Sequence, residues 1–381
     1  MAATDTQAPG RDRATGQEGA AERASETSVL VVADHPNTGK IARHYGPLAD
    51  VADETTMVCL RGADDVDGIT FREAPVVGHR LVAMPLLFLL ALAELLGGDY
   101  DAIVSISLFP YGTFALLLGR LTGTPVHLGI IGADLDRHAE AWYGSLPKAL
   151  FRQFDAVSVP GTSHVERLAA AGVDRDRIAI LTNTVDAETY RPPQANGQRD
   201  IDILWIGRFS AEKQPEAFVE TLSTLASRNV DVSVMMIGDG DRHAETRRLA
   251  EQYGVADAVT FTGWVDEPLA YYQRSRTFVL TSRREGVPLT MLEAMASGVV
   301  PVVPPVGSVP DVAEHERNAL VVTDRDPSRF ADALERLLAD ETLRRDLAAN
   351  ATAVRESHAL DAARDDWLRI LTILGARDSR P

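Results

Sequence analysis

Short runs of β-favouring residues recur along this chain with helix-length segments between them. SVLVVAD (28–34), TTMVCL (55–60), AIVSISL (102–108), PVHLGII (125–131), AVSVP (156–160) and IAILTN (178–183) form a first set. DILWIG (202–207), VSVMMIG (232–238), AVTFTG (258–263), TFVLTS (277–282), VVPVVP (299–304) and NALVV (318–322) form a second. Several runs are apolar at nearly every position, which suits strands covered on both faces. Segments such as GTSHVERLAAA (161–171) are long enough to be crossover helices. The pattern predicts an α/β chain with parallel, doubly wound sheets. It breaks once, at RPPQANGQRD (191–200), where two prolines, a glycine and polar neighbours read as a linker. We therefore expect a polar, disordered tail over 1–27, a first Rossmann-like domain over 28–190 and a second over 201–358. The segment 326–376 reads as helical. Ligands of such sheets bind at the carboxyl ends of the strands, so two facing domains would hold a ligand in a cleft.

Charge narrows the partners. The net charge is −17 and the pI about 5.0, whereas a free-standing nucleic-acid binder is usually basic. Only three of the 38 basic residues are lysine, Lys40, Lys148 and Lys213; a surface adapted to high salt or a GC-rich genome would each produce this. Cys59 is the only cysteine, so no intramolecular disulfide and no cysteine metal cluster can form, in keeping with a reducing cytoplasm. Residues 1–27 lack the apolar stretch of a signal peptide.

The run LVAMPLLFLLALAELL (81–96) is short of the roughly 20 apolar residues of a spanning helix and contains Pro85 and Glu94. It reads either as a helix packed in the first domain or as one dipping into a membrane surface, peripheral at the inner face.

SRREGVPLTMLEAMASGVVPVV (282–303) carries the most chemistry. Gly286 and Pro288 turn the chain, and a helix begins at about Leu289. A helix start offers unpaired N–H groups and partial positive charge, which suits a phosphate. Glu285 lies before this anion site and Glu293 inside it. Carboxylates accept hydrogen bonds from sugar hydroxyls. The layout suits a phosphate flanked by two hydroxylated rings, as in a sugar nucleotide. Arg208 and Lys213 follow the run DILWIG, at a strand's carboxyl end, where two cations can stabilise a diphosphate leaving group.

These residues resemble the E-x7-E motif of retaining glycosyltransferases with the GT-B fold, the family 4 type. IGRFSAEKQPE (206–216), MMIGDGDRH (235–243), VTFTGWV (259–265) and GSVPDVAEHERNALVV (307–322) follow the same family in the same order. The resemblance is strong over 200–325 and weaker before it. It implies two Rossmann-like domains, with part of 359–381 crossing back to the first. It implies Arg208 and Lys213 on the departing diphosphate, Glu285 on the transferred sugar and Glu293 on the ribose. Gly286, Val287 and Leu289 would offer backbone to phosphates or sugar, and Gly207 belongs to the R-x4-K segment. Trp264 and Val265 would border the nucleotide base, with Trp264 equally readable as plain core, and Gly39 would belong to a loop closing over the donor phosphates. Gly238 and Gly240 resemble a shortened dinucleotide fingerprint, but His243 stands where its third glycine would be, which disfavours a nicotinamide cofactor.

The implied reaction moves a sugar from a UDP- or GDP-sugar to a hydroxyl acceptor (a glycan, a lipid-linked molecule or a small molecule) with retention. The donor is a co-substrate and no cofactor or essential metal is implied. The chain departs from the family at Ile131-Gly132-Ala133-Asp134, where many relatives have HGxD. His127, His138 or the backbone of 131–134 are the candidates to replace that histidine. A non-catalytic nucleotide-binding subunit and a sugar-nucleotide epimerase or phosphorylase are the alternatives.

Overall fold

The computed structural model describes residues 27–34, 37–62, 66–75, 80–130, 134–135, 139, 141–193 and 199–375. Thirteen strands lie within them: β1 (Ser28–Val32), β2 (Glu54–Cys59), β3 (Ile69–Glu73), β4 (Ala102–Ile106), β5 (Val126–Gly129), β6 (Ala156–Val159), β7 (Ile178–Ile180), β8 (Ile201–Ile206), β9 (Val234–Ile237), β10 (Val259–Gly263), β11 (Ser275–Val279), β12 (Val300–Val303) and β13 (Leu320–Val321). They form a seven-stranded sheet in the order β3-β2-β1-β4-β5-β6-β7 and a six-stranded sheet in the order β10-β9-β8-β11-β12-β13. Pairing is parallel in both. Each order runs outward from a central strand and then reverses, as in a doubly wound fold. The two-domain α/β GT-B architecture expected from the sequence is therefore what the chain adopts.

Twelve of the strands fall on the runs read from the sequence. β3 does not: ITFRE is an edge strand with only Ile69 buried, so its sequence lacks the apolar signature.

Two compact units can be distinguished. One comprises the described residues up to Gly129, Leu150–Ser158 and the residues from Arg364 on; the other comprises Ile130–Ala149 and Val159–Ala363. The tail 1–26, most of the linker (194–198) and the last residues, 376–381, lie outside the described residues.

In the first unit the helix Arg80–Gly97 buries Ala83, Leu87, Ala91 and Leu95, one residue per turn. The opposite side leaves Leu89 57% and Leu96 73% exposed. No described helix is long and apolar enough to cross a membrane.

The second unit is built around the six-stranded sheet. Successive residues of β8 point to opposite faces. Ile203 and Trp205 join Phe218, Leu222, Met236, Phe330 and Leu334 on one side. Leu204 joins Ile237, Phe278, Met291, Leu292 and Met295 on the other. The helices Pro215–Ser227 and Pro327–Ala339 both begin with proline, whose fixed φ suits a first helical position. Burial on both faces fixes the strand register, and with it the direction in which each strand-end loop leaves the sheet.

Candidate functional site

The order β9-β8-β11-β12 reverses between β8 and β11, so the loops after those strands leave the sheet side by side. The loop after β8 carries Arg208 and Lys213, and the loop after β11 carries Glu285. Lys213 Nζ donates to Glu285 Oε1 at 2.5 Å, and the two side chains are 25% and 10% exposed. Residues 72 apart in sequence thus form an ion pair at the topological switch point, where doubly wound sheets take their ligands.

The two loops are also joined through backbone. Thr281 Oγ1 lies 2.8 Å from the Lys213 carbonyl and 3.0 Å from that of Gln214, and accepts from Trp205 Nε1 at 3.2 Å. The Arg283 N–H donates to the Glu212 carbonyl at 2.8 Å. Gln214 is left-handed, φ 49°, a conformation costing a non-glycine residue about 1–2 kcal/mol. Its carbonyl is held there by Thr281, directly before Pro215 opens the next helix. The Lys213 backbone therefore sits in a fixed turn.

Gly207 and Gly238 meet at the ends of β8 and β9. Gly238 has φ 131°, and a Cβ there would lie 1.9 Å from the Gly207 carbonyl oxygen. No side chain fits this approach. The Gly238 N–H also donates to the Gly263 carbonyl at 2.8 Å, so the end of β10 joins the row. Beyond it Trp264 stands 74% exposed, with its Nε1 donating to Asp266 Oδ1 at 2.9 Å. Trp264 is a surface ring and not core; Val265 beside it is half-buried. Arg208 is exposed, while the next residue, Phe209, is buried.

The helix predicted to begin at about Leu289 runs Leu289–Ala296, with Pro288 extended at its N-cap. Gly286 and Leu289 are half-buried, and Val287 is buried with its carbonyl accepting from Asn183 Nδ2 at 2.7 Å. Glu293 is 7% exposed and accepts from the Tyr272 hydroxyl at 2.9 Å. A buried carboxylate needs such a donor. The sequence signals the need, because Glu293 stands in an apolar helix, but not the donor, which comes from the short helix Leu269–Arg274. Thr281 was likewise invisible in the sequence, since a lone Thr near a strand end has no distinguishing pattern.

Gly39 belongs to the first unit. It is exposed in the first turn of the helix Thr38–Ala49, capped by Asn37, and not in the loop before that helix. Of the candidates to replace the family histidine, Ile131–Ala133 and His138 lie outside the described residues. His127 is corrected: it is a core residue of β5, fully buried, with Nε2 2.9 Å from Ser158 Oγ and its ring 5.1 Å from that of Trp367. Burial pushes its pKa down to about 3, so it stays neutral.

The family model for glycosyl transferases group 1 matches residues 186–354, and that for the glycosyl transferase 4-like domain matches 13–184. A GDP-mannose-dependent alpha-(1-6)-phosphatidylinositol monomannoside mannosyltransferase of Mycobacterium tuberculosis is 31% identical over 206 residues, covering 49% of this chain and 53% of the relative. An alpha-D-kanosaminyltransferase of Streptomyces kanamyceticus is 26% identical over 303 residues, covering 70% and 74%. The chain thus spans about half the length of the first of these relatives. Among solved structures, Anabaena HepE in complex with UDP and glucose superposes with a TM-score of 0.74 at 14% identity, covering 93% of this chain and 100% of that one. Sucrose-phosphate synthase from Thermosynechococcus elongatus gives 0.70 at 18% identity, covering 89% and 96%. At these identities the structural likeness concerns the fold.

Proposed function

The chain belongs to the group 1 glycosyltransferases with the GT-B fold, and from that premise we propose that it transfers a sugar from a nucleoside diphosphate sugar to a hydroxyl acceptor, with retention of configuration. The observation that carries this reading is the contact between Lys213 and Glu285. A cation and a carboxylate that touch can serve a phosphate and a sugar hydroxyl only if those groups are neighbours in one ligand. The sugar 1-phosphoryl end of a nucleotide sugar has them so arranged. Lys213 and Arg208 stabilise the departing diphosphate, in the role a divalent cation would otherwise fill, and Glu285 holds the transferred sugar. The helix start at Leu289, with Gly286, Val287 and Leu289, offers backbone to the phosphates. Glu293 holds the ribose, and Trp264 with Val265 borders the base. Gly207 and Gly238 let the two strand ends close beneath the nucleotide.

In this reaction the bond from the anomeric carbon to the β-phosphate oxygen breaks, and the acceptor oxygen bonds that carbon on the same face. The acceptor proton passes to the leaving phosphate oxygen. The protein supplies positioning and electrostatic stabilisation. Nucleoside diphosphate release from a panel of UDP-, GDP- and ADP-sugars, in low and multimolar KCl, tests the proposal. Release from one donor, lost in Arg208→Ala/Lys213→Ala, supports it, and the anomer of the product read by NMR tests retention. Nucleotide binding without release under any condition, with acceptor hydroxyls supplied, favours the non-catalytic alternative.

For the acceptor, Leu89 and Leu96 are exposed on the helix Arg80–Gly97, and Leu117 and Leu121 are 48% and 60% exposed on the helix Thr113–Thr122. The two helices touch through Phe88 and Phe114, rings 5.6 Å apart. This surface suits a lipid-linked acceptor met by a cytoplasmic protein at the inner membrane face. Vesicle flotation of the protein, lost in Leu89→Glu/Leu96→Glu, would support that; absence of flotation in both would reject it.

A further inference from the structure

Glu285 is held from two sides. Lys213 holds its carboxylate, and the loop after β12 holds its backbone. Gly307 in that loop has φ 55°, and a Cβ there would lie 1.7 Å from the Glu285 carbonyl oxygen, so the two backbones are in close apposition. The same loop continues to Ser308 and, through the short turn Val309–Asp311, to Asp311. Asp311 grips the start of the helix Thr162–Ala170: Oδ2 accepts from the Thr162 N–H at 2.7 Å and Oδ1 from its hydroxyl at 2.6 Å. A carboxylate accepting two hydrogen bonds at a helix N-terminus is well placed energetically. Two residues on, His164 Nδ1 lies 3.2 Å from Ser308 Oγ, and both residues are fully buried. A Cβ on Gly161 would lie 2.5 Å from Asp311 Oδ2 and from Ser308 Oγ, and one on Gly286 would lie 2.8 Å from Pro160. The segments 160–164, 285–287 and 307–311 thus interlock, with close contact at Gly161, Gly286 and Gly307 that leaves no room for an added Cβ.

We propose that Asp311, through its clamp on Thr162 and the His164–Ser308 contact, is a positioning residue for Glu285. It would fix where the sugar-binding carboxylate stands without touching the donor. The inference rests on the proposed role of Glu285. Its logic is geometric: the Glu285 carbonyl is packed against Gly307, and Gly307 can hold that place only while 308–311 stays anchored. Misplacement of a binding group by about 1 Å costs on the order of 100-fold in rate.

The test is a double-mutant cycle of Asp311→Ala with Glu285→Ala in the full chain. It reads UDP release from UDP-glucose and GDP release from GDP-mannose, with Kd for UDP and GDP by calorimetry. Asp311→Ala is expected to lower kcat/KM by about 10–100-fold while the nucleotide Kd moves less than threefold. The double variant should be no slower than Glu285→Ala alone. Asp311→Asn, which keeps an acceptor for the Thr162 N–H, should recover most of the activity. Gly161→Ala, which displaces the clamp without removing it, should reproduce the loss. Equal losses of turnover and nucleotide affinity in Asp311→Ala would mean a general folding role and overturn the proposal, as would additive effects in the cycle. A Glu285→Ala variant of undiminished turnover overturns both this inference and the function assigned to Glu285. Normal turnover in Asp311→Ala beside an impaired Glu285→Ala overturns this inference alone.

Discussion

Replacing Lys213 by methionine separates the chemistry of the site from its stability. The substitution keeps the length of the aliphatic stem and removes the ammonium that contacts Glu285 at 2.5 Å. Two consequences follow, of different size. First, Glu285, only 10% exposed, loses its cation. A partly buried group deprived of its partner costs about 1–3 kcal/mol, a loss expected in chemical denaturation at pH 7. Second, the leaving diphosphate loses one stabilising cation. Loss of one preorganised electrostatic contact costs about 3–4 kcal/mol in the transition state, or about 100–1,000-fold in kcat. Arg208→Ala is the matched control. Arg208 is exposed, so its removal should slow turnover by a similar factor with little change in stability. The assay is nucleoside diphosphate release from the donor that the wild-type chain turns over, with Tm measured on the same preparations. Turnover within threefold of wild type in Lys213→Met would refute the leaving-group role. A kcat loss that tracks the fraction unfolded would show that the ion pair is structural only.

Other expectations concern groups whose surroundings are well defined. His127 is buried with its pKa lowered to about 3, against 6.5 for the free side chain, so below pH 6.5 the unfolded chain binds a proton that the folded chain does not. Stability should therefore fall as pH drops through the window from 6.5 towards 3, by about 2 kcal/mol between pH 6.5 and 4.5 from this residue. Urea titrations of wild type and His127→Gln should converge over that range, and parallel curves would reject the assignment. Tyr272→Phe removes a hydroxyl donated to Glu293 at 2.9 Å and should cost about 1–3 kcal/mol of stability together with a several-fold weaker nucleotide Kd; unchanged affinity would count against Glu293 as the ribose contact. Trp264→Ala alters an exposed ring, so Tm should stay within a degree or two while nucleotide affinity falls about tenfold; an unchanged Kd would remove Trp264 from the base site.

Much of the second half was legible in the sequence because its physics is local. β8 and β12 are apolar runs buried on both faces, Pro215 and Pro327 mark helix starts, and Pro288 sets the start of the helix bearing Glu293. Arg208 and Lys213 could be nominated because they follow the run DILWIG, and Glu285 because it lies just before a helix start. What stayed hidden depends on long-range pairing. Tyr272 and Glu293 are 21 residues apart, Thr281 and Lys213 68, Asn183 and Val287 104, and Asp311 and Thr162 149. No periodicity specifies these partners. β3 escaped for a different reason: as a mostly exposed edge strand it has no need of an apolar pattern. His127 shows the converse limit. A histidine next to apolar residues in a strand reads equally as a site or as core, and only its place between Ser158 and Trp367 decides for core.

The eight-residue spacing of Glu285 and Glu293 follows from where each is held. Glu285 is fixed from outside its own segment, by Lys213 from the loop after β8 and by Gly307 from the loop after β12. Glu293 is fixed from inside, by the helix that starts at Leu289, and lies four residues into it, about 6 Å along the axis. The start of that helix thus lies between an anchored loop acid and an anchored helical acid. One residue added between them would turn Glu293 about 100° around the axis, away from Tyr272, while leaving Glu285 in place. The spacing is therefore a consequence of two independent anchors meeting across one helix start. The residues that supply the anchors, Lys213, Gly307 and Tyr272, belong to the site as much as the two glutamates do.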